Sequence, residues 1–241
     1  MAKSILLILF MVVAATISLP LLLILWLISL VSKKAARVTT YCVARGVFRI
    51  MLFIAGTKVT LEGAENIPSK DTPVLFVSNH RSYFDIIAAY PYVPGRYGFV
   101  GKKEFHKIPV VAQWMQMVGV IFLDRENPRE GIRSINAAAD DIKEGYSMWI
   151  CPEGTRAHGE KMIPFHEGSF KIAEKAGCPI VPVAFTHTDD ILENHSPKVR
   201  SAHITIAVGQ PLETAGLSRP ELKALHQKVY DVIQQMYEQY V

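Results

Sequence analysis

The pattern of apolar and polar positions divides the chain into two unlike parts. From Ile5 to Val31 the sequence is almost unbroken apolar residues, interrupted by Thr16, Ser18, Pro20 and Ser29. A bilayer crossing needs about 20 such residues, so this run is long enough to span. It also outruns the core of a signal peptide and offers a poor small-x-small cleavage site, which favours an uncleaved anchor. Pro20 leaves room for a kinked span or for an insertion that never reaches the far side. From about Ala35 to Ala55 the period becomes that of an amphipathic helix. Val43, Val47, Ile50 and Ile54 form one stripe, with Arg37, Arg45 and Arg49 roughly opposite. Such a helix suits the membrane interface, with arginines at the headgroups, or packs its stripe on a folded domain. Gly56 ends it.

Beyond Gly56 the pattern predicts an α/β domain. Short β-rich runs predict strands at Lys58–Gly63, Pro73–Val77, Tyr97–Val100, Gly119–Arg125, Ser147–Cys151, Pro179–Phe185 and around Ile204, Ile206 and Val208. The run from Gly119 reads as buried, and the two prolines of the sixth run predict an edge position or an irregular start. Helices are expected at 86–90, with Ser82 as N-cap and Asp85 in the first turn, and at 108–118, apolar all round. Others are expected at 128–144, with Ile132, Ile135, Ala139 and Ile142 inward, and at 168–176, closed by Gly177. Leu222, Leu225, Val229, Val232, Met236 and Tyr240 stripe a closing helix that reads as packing only. Residues 66–73 and 91–95 punctuate as loops, and 188–201 reads as an exposed polar loop.

Charge sharpens the division. No Asp or Glu precedes Glu62, whereas seven Lys or Arg do, which leaves 19 basic and 22 acidic residues for the remainder. The basic end is therefore the greasy end, which points to anionic lipid rather than nucleic acid. Lys33, Lys34 and Arg37 directly follow the first apolar run, placing the later domain on the cytoplasmic side by the positive-inside rule. Cys42, Cys151 and Cys178 share no C-x-x-C spacing, in keeping with reduced thiols. The histidines lack ligand-pair spacing beside acids or thiols, so no metal site is expected.

The chemistry concentrates where strands end. His80 follows the strand ending at Val77, and Asp85 lies five residues on, close enough in a curled loop to hold one imidazole nitrogen. The other nitrogen is then a base for an incoming hydroxyl or thiol. H-x4-D is short, and by itself fits equally well a capped helix with a surface histidine. Lys102 and Lys103 end another strand, as a solvated pair or a phosphate contact. Arg125 ends the next, either paired with Asp124 or reaching a ligand phosphate. Pro152-Glu153-Gly154-Thr155-Arg156 reads as a ligand loop: Gly lets the backbone approach, Thr offers a hydroxyl and Arg offers a two-pronged donor. No Walker A, G-x-G-x-x-G or G-x-S-x-G sequence is present.

Four motifs now stand in order: N-H-R-S-Y-F-D at 79–85, G-V-I-F-L-D-R at 119–125, P-E-G-T-R at 152–156 and C-P-I-V-P-V-A at 178–184. Together they resemble the lysophosphatidic acid acyltransferase family, the 1-acyl-glycerol-3-phosphate acyltransferases of phospholipid synthesis. The resemblance covers roughly residues 57–210. Cys151 departs from it, since family members often carry Phe before P-E-G-T-R.

The resemblance implies a single mixed-sheet α/β acyltransferase domain flanked by helices, over residues 57–241. A membrane-embedded two-helix anchor would precede it, over residues 1–56. It implies His80 as general base, Asp85 as its orienting partner, and Glu153, Gly154, Thr155 and Arg156 as holders of the acceptor's glycerol phosphate. Arg125 would lie nearby, Lys102 would assist, and Pro182 with its neighbours would shape the pocket. No cofactor is implied beyond an acyl-CoA or acyl carrier protein thioester as co-substrate. The implied reaction acylates the sn-2 hydroxyl of lysophosphatidic acid at a phospholipid membrane. Alternatives are another acceptor (a lysophospholipid or lyso-ornithine lipid), a membrane-bound thioesterase, or a non-catalytic lipid-binding protein.

Overall fold

The computed structural model describes residues 1–69, 71–159 and 161–241. Lys70, within the loop expected at 66–73, lies outside them. Helix α1 spans Ala2–Val31 and α2 spans Lys33–Ala55; they are separated by Ser32, whose extended backbone breaks the helix and whose hydroxyl accepts the Ala35 N–H. The two helices run antiparallel, with Lys3 Nζ donating to the Ala55 carbonyl at 3.0 Å. Both are long and apolar enough to cross a membrane. Only Ser4, Leu7 and Leu25 of α1 are buried, so most of its apolar surface faces outward.

Helix α2 packs against the rest of the protein over much of its length. Tyr41, Met51, Leu52 and Ala55 enter the same core as Val74, Phe76 and Phe185, whereas Ile50 of the expected stripe is exposed. Two of its arginines turn inward rather than to headgroups. Arg37 lies 2.9 Å from Asp141 Oδ2 and 3.9 Å over the Tyr146 ring, and Arg45 donates to the Pro91 carbonyl at 3.0 Å. These contacts satisfy charge that would otherwise be costly to hold in a packed surface. Gly56, in the left-handed region at φ 73°, caps the helix.

The described residues form seven strands, β1 Lys58–Glu62, β2 Leu75–Ser78, β3 Tyr97–Lys102, β4 Ile121–Leu123, β5 Ser147–Ile150, β6 Ile180–Thr186 and β7 His203–Val208. They form one mixed sheet in the order β1-β7-β6-β2-β5-β3-β4, parallel at every pairing except β6 with β7. Around it lie α3 (Phe84–Tyr92), α4 (Val111–Met117), α5 (Pro128–Lys143), α6 (Lys171–Ala176) and α7 (Arg219–Tyr240). One core, rich in aromatic rings in edge-on and tilted contact from Tyr41 through Tyr97 to Trp149, covers the face toward α2 and α3. A second, containing Ala138, Ala139, Ile142, Ile172 and Val229, covers the face toward α5, α6 and α7. Strands buried on both faces explain the near-continuous apolar runs.

Several expectations are corrected by tertiary packing. Strand β6 is interior and fully buried, not an edge. Its Pro182 is tolerated because the residue's hydrogen-bonding side faces the point where the β6/β7 ladder has ended, with its carbonyl accepting only the Gly209 N–H. Strand β4, expected to be buried, is half-buried and forms one edge of the sheet, with β1 at the other. Helix α4 is shorter than expected, has only Ala112 buried, and meets α1 through Trp114 Nε1 donating to Ser18 Oγ at 2.9 Å. On α5 the buried residues are Ala138, Ala139 and Ile142, with Ile135 packed against the same core, whereas Ile132 is exposed. On α7 the buried seam is Leu225, Val229, Ile233 and Tyr237, with Leu222, Met236 and Tyr240 of the expected stripe packed beside it. Residues 188–201 are not an exposed loop: Thr188, Asp189 and Ile191 are buried beside α3.

Candidate active site

Strands β2, β3, β4, β5 and β6 are parallel, so their carboxyl ends share one edge of the sheet. His80, Lys102, Arg125, the 152–156 loop and Thr188 all follow those ends. Such an edge collects loops from separate strands into one crevice, as in other open α/β sheets.

The loop after β2 is tied down residue by residue. Asn79 exchanges two hydrogen bonds with the Phe185 backbone, 2.9 and 2.8 Å, extending the β2/β6 pairing by one side chain. His80 donates its N–H to Glu153 Oε1 at 2.8 Å, and its carbonyl accepts the Ala157 N–H at 2.8 Å. The loop then curls so that Asp85 Oδ2 accepts the N–H groups of Arg81 and Ser82 at 2.8 and 2.9 Å and lies 2.9 Å from His80 Nδ1. Thr188 Oγ1 donates to Asp85 Oδ1 at 2.5 Å. The N-cap position of α3 is Tyr83 rather than Ser82, although the Ser82 hydroxyl still accepts the Phe84 N–H.

These contacts fix the chemistry of the pair. Asp85 is 1% exposed and is surrounded by donors, so the ionised carboxylate is the form that accepts them all. The imidazole then carries its proton on Nδ1, toward Asp85, and Nε2 presents a lone pair. His80 keeps a side-chain exposure of 20%, with no hydrogen bond on Nε2 among the described residues. A buried, oriented carboxylate behind a partly open imidazole is the arrangement of a general base.

The 152–156 loop divides into supporting and open parts. Glu153 is buried, with Oε1 on the His80 N–H and Oε2 on the Ile163 N–H at 3.0 Å. Its carboxylate therefore serves the two backbones instead of facing the open crevice. Burial pushes its pKa up to about 7, against the opposing pull of the Ile163 and His80 N–H groups. Gly154 sits at φ 74°, and a side chain there would meet the His166 ring and Arg125 Nη1. Thr155 is exposed. Arg156 is engaged already: Nη1 donates to Glu193 Oε1 at 2.9 Å and Cζ lies 3.9 Å over the Tyr83 ring. Burial pushes the Cys151 thiol up to about 12, so it stays protonated near neutral pH and is no nucleophile.

Arg125 differs from its neighbours. Asp124 does not pair with it, being held by Lys103 Nζ at 2.9 Å. Among the described residues the Arg125 guanidinium has no hydrogen bond or ion pair, and partial desolvation holds its pKa below the usual arginine value. Lys102 lies on the rim, 3.4 Å from Glu104 and largely exposed.

Sequence reasoning missed the segment after β6. Besides Thr188, it supplies Asp189, which pairs with Arg81 Nη2 at 2.7 Å, and Glu193, which accepts from Ser82 Oγ at 2.6 Å and from the Tyr83 N–H at 3.0 Å. The one signal in the chain was positional: T-H-T-D-D follows an apolar strand, as the other site loops do.

Fold and site together bring an oriented imidazole, His80, and a guanidinium without an ion-pair partner among the described residues, Arg125, to the carboxyl edge of the sheet. The chain belongs to the acyltransferase family, whose model, described as Acyltransferase, matches residues 58–186. A chloroplast 1-acyl-sn-glycerol-3-phosphate acyltransferase of Brassica napus is 34% identical over 156 residues, covering 64% of this chain and 45% of that protein. The chain thus spans less than half the length of that relative. The human 1-acyl-sn-glycerol-3-phosphate acyltransferase alpha is 30% identical over 200 residues, 78% of this chain and 70% of that one. The crystal structure of the 1-acyl-sn-glycerophosphate acyltransferase PlsC from Thermotoga maritima superposes with a TM-score of 0.81 at 25% identity. It covers 99% of this chain and 96% of that one.

Proposed function

We propose that this protein transfers a fatty acyl group from a thioester to the sn-2 hydroxyl of lysophosphatidic acid, forming phosphatidic acid at a membrane surface. The observation that carries the reading is the His80–Asp85 pair, with Nε2 free at the same sheet edge as the uncommitted Arg125 guanidinium. The names of the relatives supply the reaction class, and the chemistry of the site matches it.

An alcohol stays protonated near neutral pH and attacks a thioester poorly, and a positioned general base helps by about 10²–10⁴-fold. His80 Nε2 takes the hydroxyl proton as the oxygen bonds to the thioester carbonyl carbon. The tetrahedral intermediate then collapses, the C–S bond breaks, and the imidazolium returns its proton to the departing thiolate. Asp85 stabilises the imidazolium between the two steps. No acyl-enzyme is needed, because the thioester is already activated. Arg125 holds the acceptor's phosphate through a two-pronged contact, with Lys102 on the rim and the Gly154–Thr155 backbone alongside. Glu153 and Arg156 support the loops from behind.

The outward apolar face of α1 anchors the domain where both acyl chains reside, and the acid-free N-terminal segment favours the anionic cytoplasmic leaflet. The donor is acyl-CoA or acyl carrier protein. The test is purified protein with each donor and a panel of lyso-acceptors, with products identified by mass. Phosphatidic acid formation by the wild type, lowered by about 10²–10⁴-fold in His80→Ala, is expected. Acyl hydrolysis without transfer, or equal turnover by His80→Ala, refutes it.

A further inference from the structure

We infer that Thr188 is the positioning residue of the catalytic pair, acting on His80 through Asp85. The donors around Asp85 are unevenly distributed. Oδ2 meets three of them (the N–H groups of Arg81 and Ser82, and His80 Nδ1). Oδ1 has one among the described residues, the Thr188 hydroxyl at 2.5 Å. Thr188 therefore sets the rotation of the carboxylate about its Cβ–Cγ bond. Without that anchor, Oδ1 is left bare in a buried site, and the carboxylate swings to share the backbone N–H groups between both oxygens. That swing draws Oδ2 off Nδ1, and the imidazole loses the contact that fixes its tautomer and ring plane.

The chain around Thr188 is built to hold the hydroxyl there. Strand β6 is buried throughout and ends at Thr186. His187 then adopts φ 60°, which side chains other than glycine seldom adopt, and Thr188 opens a short 3₁₀ turn with no exposure. The next residue, Asp189, is clamped to the buried Arg81 guanidinium from the catalytic loop itself. Glu193 closes the strap on Ser82 and Tyr83. The strap thus grips the H-x4-D loop at three points, and Thr188 is the one that touches the carboxylate.

The test compares Thr188→Val, which removes the hydroxyl at nearly constant shape, with Thr188→Ser, which keeps it. The first readout is the spectrum of the His80 ring nitrogens in detergent-solubilised protein labelled in histidine, assigned by the signal missing in His80→Gln. Wild type and Thr188→Ser are expected to show the single Nδ1–H tautomer, and Thr188→Val a mixture. The second readout is steady-state kinetics, which rests on the acyl-transfer reading above. Thr188→Val should lower kcat by about 10-fold or more with KM for lysophosphatidic acid within about twofold, and Thr188→Ser should recover most of the loss. A single unchanged tautomer in Thr188→Val overturns the inference, as does Thr188→Ser being as impaired as Thr188→Val. If the wild type transfers no acyl group but the tautomer still changes, the acyl-transfer reading fails and the role of Thr188 stands. Thermal unfolding of each variant separates a lost contact from a lost fold: a tautomer mixture seen only in unfolded protein counts against it.

Discussion

Replacing Glu153 by glutamine separates a supporting carboxylate from one that binds the acceptor. The folded protein holds this group's pKa at about 7 against an ordinary value of 4.5, chiefly through burial. The folded state therefore binds the proton more tightly than the unfolded chain. The corresponding stability is fully present below pH 4.5 and is lost as pH rises through 7. At 1.36 kcal/mol per pH unit, the displacement amounts to about 3 kcal/mol. The glutamine side chain has no charge to gain, so the variant escapes this loss. It carries a fixed cost instead, about 1–3 kcal/mol, because its single oxygen cannot accept from both the His80 and Ile163 N–H groups. The expectation is that Glu153→Gln is the less stable protein near pH 5, and that the gap closes or reverses by about 2 kcal/mol toward pH 7.5. Urea unfolding in detergent micelles, followed by tryptophan fluorescence with the buried Trp149 as one reporter, measures it. A difference that stays flat with pH would mean that the two N–H groups keep Glu153 ionised throughout. An unchanged stability with a raised KM for the acceptor would return the carboxylate to substrate binding.

Two further outcomes follow from the same contacts. Arg125→Ala should cost about 10- to 150-fold in kcat/KM with lysophosphatidic acid and little with monoacylglycerol, the range expected for a lost hydrogen bond to a charged group. Arg156→Ala, whose guanidinium already serves Glu193 and Tyr83, should impair both acceptors alike; a phosphate-selective loss at Arg156 instead would reverse the two roles. Deleting residues 1–32 should leave a folded domain that binds membranes more weakly. Deleting 1–56 should cost the fold, because burial of Tyr41, Met51 and Leu52 contributes roughly 1.5–3 kcal/mol each against a total stability of about 5–15 kcal/mol. Limited proteolysis and thermal unfolding of both truncations check this, and a stable domain starting at residue 57 would refute it.

What the sequence made legible was local. The central strands β2, β5 and β6 lie within apolar runs, because strands buried on both faces leave little choice of residue, while β1 and β7 showed as alternation. His80 and Asp85 were within reach because their contact spans five residues and needs only a curled loop. The contacts that complete the site join residues about a hundred positions apart: Arg81 with Asp189, Asp85 with Thr188, Ser82 with Glu193. Polar residues between two strands read as solvent-facing when no partner is known, and only the sheet order brings the end of β6 beside the end of β2. The same limit governed the arginines of α2, which the helical period sets opposite an apolar stripe. The period does not reveal that Asp141 and the Pro91 carbonyl wait on that side.

The distribution of polar partners explains how one crevice can hold both a base and an anion site. A cation beside His80 opposes formation of the imidazolium, so unpaired arginines near the base work against the proton transfer. Arg81 and Arg156 flank His80 in the loops, and each is met by a carboxylate from the strap after β6, Asp189 for the first and Glu193 for the second. Asp85 supplies the remaining negative charge directly at Nδ1. Among the described residues Arg125 alone of these arginines has no such partner, and it enters from β4, two strands beyond β5 in the sheet. The strap therefore neutralises the cations of the catalytic loops, leaving the uncompensated charge at Arg125. On the proposed function, an acceptor phosphate bound at Arg125 would supply the missing anion itself, so that binding the acceptor would offset this charge as its hydroxyl is deprotonated.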